Sequence, residues 1–260
     1  MILGFDIGNT NTLMGLYEGA GAVPRATYRF RTERSVTTDE LGLMVSGFLR
    51  LSQDNGGVLP PVEGLAFSSV VPEVNGVYHR MSRKFFRRDA LEITGRSRLS
   101  IALNYDNPDQ LGADRIVNAE AACREYGGDC LIIDLGTAVT YCVLLDGSRF
   151  DGGIIGPGAG TAIEALAGKT SKLMRVSFQK PPSLIARNTV DAITSGFFYG
   201  WVSMVEGMIR RINEFYQRNF FILITGGFCD IIGDNIAIEN TVDPLLTMKG
   251  IRYIYDLNRE

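Results

Sequence analysis

Two short segments of the chain read as one device used twice. Asp6-Ile7-Gly8-Asn9-Thr10-Asn11-Thr12 recurs half a chain length later as Asp134-Leu135-Gly136-Thr137-Ala138-Val139-Thr140, with Asp, Gly and the final Thr aligned without a gap. Each copy follows an apolar run, Ile2 to Phe5 and Leu131 to Ile133, and each leads into another. That pattern predicts strand, tight turn, strand, with a carboxylate ending the first strand. The offset predicts two related halves facing each other across a cleft. Two Gly/Thr turns, each with an Asp, suit a metal-bound polyphosphate. Turn N–H groups form an anion-binding nest, Gly8 lets the backbone approach, and Asn9, Thr10 and Thr12 add short donors. Asp6 can hold Mg²⁺ directly or through water, because that ion keeps several waters. The competing reading of either segment alone is a hairpin whose Asx and Thr side chains cap their own turn. The repetition favours function.

The rest of the chain fits an α/β layer structure. Strands are predicted at Ile2–Asp6, Thr12–Tyr17, Ala26–Arg31, Leu65–Val71, Leu91–Thr94, Leu131–Asp134, Thr140–Leu145, Phe150–Ile155 and Phe220–Thr225. Thr38 or Asp39 caps a helix bearing Leu41, Met44, Val45, Phe48 and Leu49, and a second helix carries Val77, Met81 and Phe85. Asn55-Gly56-Gly57 and Gly156-Pro157-Gly158-Ala159-Gly160 read as breaks, the latter a loop before a helix through Ile163 and Leu166. Asn188 caps a long helix whose Val190, Ile193, Phe197, Trp201, Val205, Met208 and Ile212 recur at helical spacing, a stripe that reads as core. The join between halves is expected near Glu125–Asp129, dividing the chain into 1–126 and 127–260.

Composition removes several classes. A net charge of −3 over 260 residues gives no footprint for nucleic acid. The opening Met1–Asp6 has no basic n-region, so no signal peptide is expected, and no apolar run reaches the length of a membrane helix. Cys123, Cys130, Cys142 and Cys229 show no C-x-x-C pairing, which predicts reduced thiols and a cytoplasmic protein. His79 is the only histidine and lies among Arg80, Arg83 and Lys84 on what reads as a solvated helix face. A proton acceptor is therefore expected among the carboxylates.

Two further clusters carry chemistry. Thr225-Gly226-Gly227 follows a buried strand and allows flat contact with a ring such as adenine, although strand-ending glycines are usually turns. In Asn104–Arg115, Asn107 and Pro108 suit the N-cap and first position of a helix reaching Glu125, and a start near Gly112 fits as well. Gly112-Ala113 clear bulk ahead of Asp114, which can accept a hydroxyl proton, and Arg115, which can hold an anion bidentately. A local surface ion pair is the plainer reading of Asp114-Arg115. No G-x-x-x-x-G-K-[ST] is present, and no G-x-G-x-x-G follows a strand.

Taken together, the chain resembles the type III pantothenate kinases. The resemblance runs through Asp6–Thr12 with Gly15, Ser68-Ser69-Val70-Val71-Pro72, Asn107-Pro108 with Leu111–Arg115, Asp134–Thr140, Gly152-Gly153 with Pro157-Gly158, Asn188-Thr189 with Ser195-Gly196, and Thr225–Gly227, in order over nearly the whole length. It implies two ribonuclease H-like halves of the actin/sugar kinase/heat-shock ATPase superfamily. It also implies ATP-dependent phosphorylation of pantothenate, the first step of coenzyme A biosynthesis. By that resemblance Asp6, Ile7, Gly8, Asn9, Thr10, Asn11, Thr12, Leu13 and Thr137 would bind ATP with Mg²⁺. Tyr105, Gly112, Ala113, Asp114, Arg115 and Thr189 would contact pantothenate, with Asp114 the catalytic proton acceptor. Asp134 would ligate K⁺ or NH₄⁺, and the protein would be a homodimer. One departure is Cys142, where such kinases often carry Asp. Two alternatives are a kinase for another small hydroxylated acid and a non-catalytic ATP-binding regulator of the same fold, for which the basic run Arg80–Arg88 offers a contact.

Overall fold

A computed structural model describes residues 1–52, 60–169 and 174–259; the predicted break at Asn55-Gly56-Gly57 lies outside them. In chain order the elements are β1 (Ile2–Ile7), β2 (Asn11–Tyr17), β3 (Ala26–Arg31), α1 (Thr38–Leu51), β4 (Gly64–Ser69), α2 (Pro72–Met81) with a π-helical turn at Ser82–Phe86, β5 (Ala90–Glu92), β6 (Ala102–Leu103), a 3₁₀ turn at Pro108–Gln110 and α3 (Ala113–Glu125). There follow β7 (Cys130–Leu135), β8 (Ala138–Leu145), β9 (Arg149–Pro157), α4 (Ala159–Lys169), α5 (Thr189–Tyr216), β10 (Phe221–Thr225), α6 (Cys229–Gly233), β11 (Thr241–Val242) and α7 (Leu246–Asn258). Two compact units result: Met1–Glu125 with Leu245–Glu260, and Tyr126–Pro244. The first of these boundaries lies between Glu125 and Tyr126. The final helix, assigned by the sequence to the second half, belongs to the first unit.

The two units repeat one topology. In the first, the strands run β3-β2-β1-β4-β5, and in the second β9-β8-β7-β10-β11. The first three strands of each unit pair antiparallel and the last two join in parallel. This is the ribonuclease H-like arrangement expected twice. Alternation sets the faces. Leu3, Phe5 and Ile7 of β1 enter a core with Leu41, Val45 and Tyr78. The opposite face of β1 carries Gly4 and Asp6; Gly4 and, on β4, Gly64 leave room there for Ile251 and Tyr255 of α7. In the second unit Leu131, Ile133 and Leu135 join Val205, Ile209 and Ile212 of α5. Of the stripe predicted on α5 only Val205 and Ile212 are buried; Phe197, Trp201 and Met208 are half-buried against this core, and Val190 is exposed.

α7 is fixed to the first unit by specific contacts. The Tyr17 hydroxyl donates to the Met248 carbonyl at 2.6 Å. Arg252, 2% exposed, donates through Nε to Asp256 and through Nη2 to the Gly19 carbonyl, both at 2.8 Å. Thr247 Oγ1 donates to Asn118 Oδ1 of α3 at 2.7 Å.

Local chemistry moves some boundaries. Thr37, rather than Thr38 or Asp39, caps α1: its hydroxyl accepts from the Glu40 N–H, and the Glu40 carboxylate accepts from the Thr37 N–H at 2.8 Å. Asn107 caps only the 3₁₀ turn; Leu111 is extended, so α3 begins at Ala113, the second of the two predicted starts. β9 continues through Gly156 and Pro157 because they pair with Val139 and Ala138, so the expected loop is nearly absent. His79 is half-buried, with Nε2 2.8 Å from Glu92, while Arg80, Arg83, Lys84, Arg87 and Arg88 are exposed.

Candidate active site

The first turn is closed by the Gly8 N–H donating to the Asn11 carbonyl at 3.1 Å. Asp6, half-buried, lies opposite Leu13 on β2 and Ser68 on β4. Asn9, Thr10 and Asn11 are exposed, Gly8 and Leu13 are half-buried, and Ile7 and Thr12 are buried. The turn therefore presents backbone and short polar side chains outward. The Thr12 hydroxyl instead hydrogen-bonds the Thr32 hydroxyl at 2.9 Å, inside the unit.

The second turn is one residue shorter. Gly136 N–H donates to the Ala138 carbonyl at 3.0 Å, and Leu135 pairs with Val139 where Ile7 pairs with Thr12. The ungapped match of the sequence thus breaks inside the turn. Val139 is the counterpart of Thr12, and Thr140 lies opposite Asp134 as Leu13 lies opposite Asp6. Thr137 is exposed and its carbonyl accepts from the Gly158 N–H at 3.0 Å and from Thr161 Oγ1 at 2.7 Å. Parallel pairing sets Thr225 beside Asp134 and so brings the Thr225–Gly227 cluster to this turn. Gly226 has φ +94° there, and a Cβ on it would lie 2.5 Å from Asp134 Oδ1. Only glycine fits both demands. Cys142 is buried on β8, two residues beyond Thr140 and on the same face as Asp134.

The third group surrounds the start of α3. Asp114 sits in its first turn, where the helix dipole favours a carboxylate, and Oδ1 accepts from the Arg115 N–H at 2.8 Å. Burial nevertheless raises the Asp114 carboxyl above its ordinary range, outweighing that hydrogen bond and the Arg115 charge. A Cβ at Gly112 would come too close to Asp114 Oδ1, so glycine there leaves the carboxylate its present position. Ala113 is buried, and Arg115 is 4% exposed. The Arg115 guanidinium donates through Nη1 to the Tyr105 hydroxyl at 3.4 Å and lies 5.6 Å from the centre of its ring. Tyr105 and Gly112–Arg115 thus form one cluster. Thr189 opens α5, exposed, after Asn188, whose Oδ1 accepts from the Asp191 N–H at 2.9 Å.

Among the described residues no three His, Cys, Asp or Glu side chains gather to hold a metal. Single carboxylates at Asp6 and Asp134 suit a cation that takes most of its ligands from phosphates and water. Sequence reasoning missed Thr32, Tyr78 and Thr161, which contact residues of the two turns. The one available signal was the position of Thr32, immediately after a strand.

The description of the type III pantothenate kinase family matches residues 2–211. The chain belongs to that family. A type III pantothenate kinase of Exiguobacterium sibiricum is 40% identical over 259 residues, covering 100% of both chains. Among solved structures, a ROK family glucokinase from Streptomyces griseus, in complex with glucose and AMPPNP, is similar with a TM-score of 0.55 at 12% identity, covering 99% of each chain. An inorganic polyphosphate/ATP-glucomannokinase from Arthrobacter sp. strain KM has a TM-score of 0.52 at 14% identity, again over 99% of each. At such identity these two speak for the fold alone. That shared fold is the repeated one described above, with two ribonuclease H-like halves.

Proposed function

We infer that the chain transfers the γ-phosphoryl group of ATP to pantothenate, giving 4'-phosphopantothenate, the first step of coenzyme A biosynthesis. The match to a type III pantothenate kinase over the full length of both chains carries this reading. Phosphoryl transfer has a loose transition state and depends on alignment and charge stabilisation. The N–H groups of the Asp6–Leu13 turn and the exposed side chains of Asn9, Thr10 and Asn11, with Thr137 of the second turn, offer donors to phosphate oxygens. A divalent ion arriving with ATP would offset phosphate charge, with Asp6 as its protein contact. Asp134 is the residue we assign to a bound K⁺ or NH₄⁺.

Tyr105, Gly112–Arg115 and Thr189 would hold pantothenate. Asp114 would orient the substrate hydroxyl and take its proton as the new O–P bond forms and the bond to the ADP leaving group breaks. The raised carboxyl is a stronger base than an ordinary Asp. Arg115, tethered through Tyr105, would face the pantothenate carboxylate.

We also propose a homodimer. An apolar groove of about 380 Å³ lined by Tyr141, Val143, Ile154, Met208 and Phe215 supports it, with Phe215 81% and Ile154 40% exposed. Four free cysteines fit a reducing, cytoplasmic compartment.

The test is ATP-dependent phosphorylation of pantothenate by the purified chain, beside a panel of other small hydroxy acids and sugars. Turnover confined to pantothenate is expected. Preference for another acceptor would reassign the substrate, and no turnover on any acceptor would favour the regulator. Replacing K⁺ and NH₄⁺ by Na⁺ should abolish turnover. Full activity in Na⁺ would remove the cation from Asp134 and point to Cys142.

A further inference from the structure

Thr12 ends the first phosphate turn with its side chain turned inward, at 0% exposure. Its hydroxyl meets that of Thr32 at 2.9 Å, and the Thr12 side chain also interacts with the Tyr78 phenol on α2. Thr32 grips the turn a second time, through its backbone N–H to the Thr10 carbonyl at 3.0 Å. Burial pushes the Tyr78 phenol up to about 12, so it stays protonated at neutral pH. The second unit repeats the grip with other atoms. Gly158 directly follows β9 as Thr32 directly follows β3, and its N–H reaches the Thr137 carbonyl at 3.0 Å. There the added hydroxyl is Thr161, at 2.7 Å from the same oxygen.

Packing against Phe5 and Phe67 holds the Tyr78 ring, but Thr32 is only half-buried and borders a space. A cavity of about 250 Å³ is lined by Thr32 and Tyr78 together with Phe30, Val36, Leu41 and Met44. Side chains beside such a space are free to shift unless hydrogen bonds restrain them. A turn that meets phosphate oxygens with its N–H groups works only if its shape is fixed beforehand.

We propose that Thr12, Thr32 and Tyr78 form a hydroxyl brace that fixes the Asp6 turn in its ATP-binding shape, as positioning residues that do not touch the nucleotide. This rests on the kinase reading above. The test uses the full-length chain as wild type, Thr32→Val, Thr32→Ser and Tyr78→Phe. MgATP affinity is read by calorimetry without pantothenate, and KM for each substrate and Tm are measured in parallel. Thr32→Val should weaken MgATP binding and raise the ATP KM about tenfold, the effect of one lost, partly buried hydrogen bond. Its pantothenate KM should stay within about twofold of wild type. Thr32→Ser should restore ATP affinity, and Tyr78→Phe should shift it in the same direction as Thr32→Val. Equal ATP affinity in all four proteins would overturn the brace while leaving the kinase reading intact. So would a Thr32→Ser as impaired as Thr32→Val, or losses that fall equally on both substrates. A wild-type chain that binds no MgATP would remove both.

Discussion

Burial and hydrogen bonding act on Asp114 in opposite directions, and burial prevails. Asp114→Asn keeps the acceptor for the Arg115 N–H and removes the base. Turnover of pantothenate should fall by about 10²–10⁴-fold, the usual worth of general-base help; retention of most of the wild-type rate would take Asp114 out of the mechanism. Stability should move the other way. The folded protein binds this proton more tightly than the unfolded chain does. Stability therefore declines as pH rises from the ordinary carboxylate range through the raised value, and the penalty is constant above it. Asn carries no such penalty, so the Tm of Asp114→Asn relative to wild type should climb across that window, as a thermal melt at each pH would show. Gly112→Ala should displace the Asp114 carboxylate and lower kcat more than Tm, and equal activity would mean that the carboxylate tolerates a new position. At this scale the three acids Asp6, Asp114 and Asp134 were readable from their flanking glycines. Thr32 was not, because a threonine after a strand is common and its partners lie far along the chain.

α3 and α7 pack so closely that a Cβ on Gly250 would collide with the Val117 carbonyl. Backbone cannot yield as a side-chain tip does. Gly250→Ala should cost about 1–3 kcal/mol, and for a chain of this size each kcal/mol corresponds to about 2–4 °C in Tm. An unchanged melting temperature would show that the helices separate at no cost. Strands were the most legible elements, since alternation and apolar runs report burial directly. Helix starts were less so: a cap depends on which side chain reaches a free N–H, and Thr37, Thr38 and Asp39 offered similar chemistry. The length of the second turn was hidden for a related reason. An ungapped match of Asp, Gly and Thr looks the same whether the strand resumes one residue earlier or later, and only the pairing of Leu135 with Val139 decides it.

The largest feature that escaped the sequence is the return of the chain's end to its beginning. Nothing in Leu246–Asn258 announces that Arg252 will sit buried against Gly19 and Tyr17. A long-range contact of this kind leaves no periodic trace in either segment. A chain stopped at Pro244 should lose the cooperative unfolding of its first unit and expose the face that holds Gly4 and Gly64. A single sharp transition at the wild-type temperature, followed by circular dichroism, would contradict that expectation.

The arrangement also sets an order of birth. Translation delivers α7 only after everything the Tyr126–Pro244 unit needs has been made. The nascent protein can complete its second lobe while the first, begun earlier, still waits with an uncovered sheet. The unit begun first is completed after the other, and a ribosome that stalls soon after Pro244 leaves that open sheet for chaperones to shield.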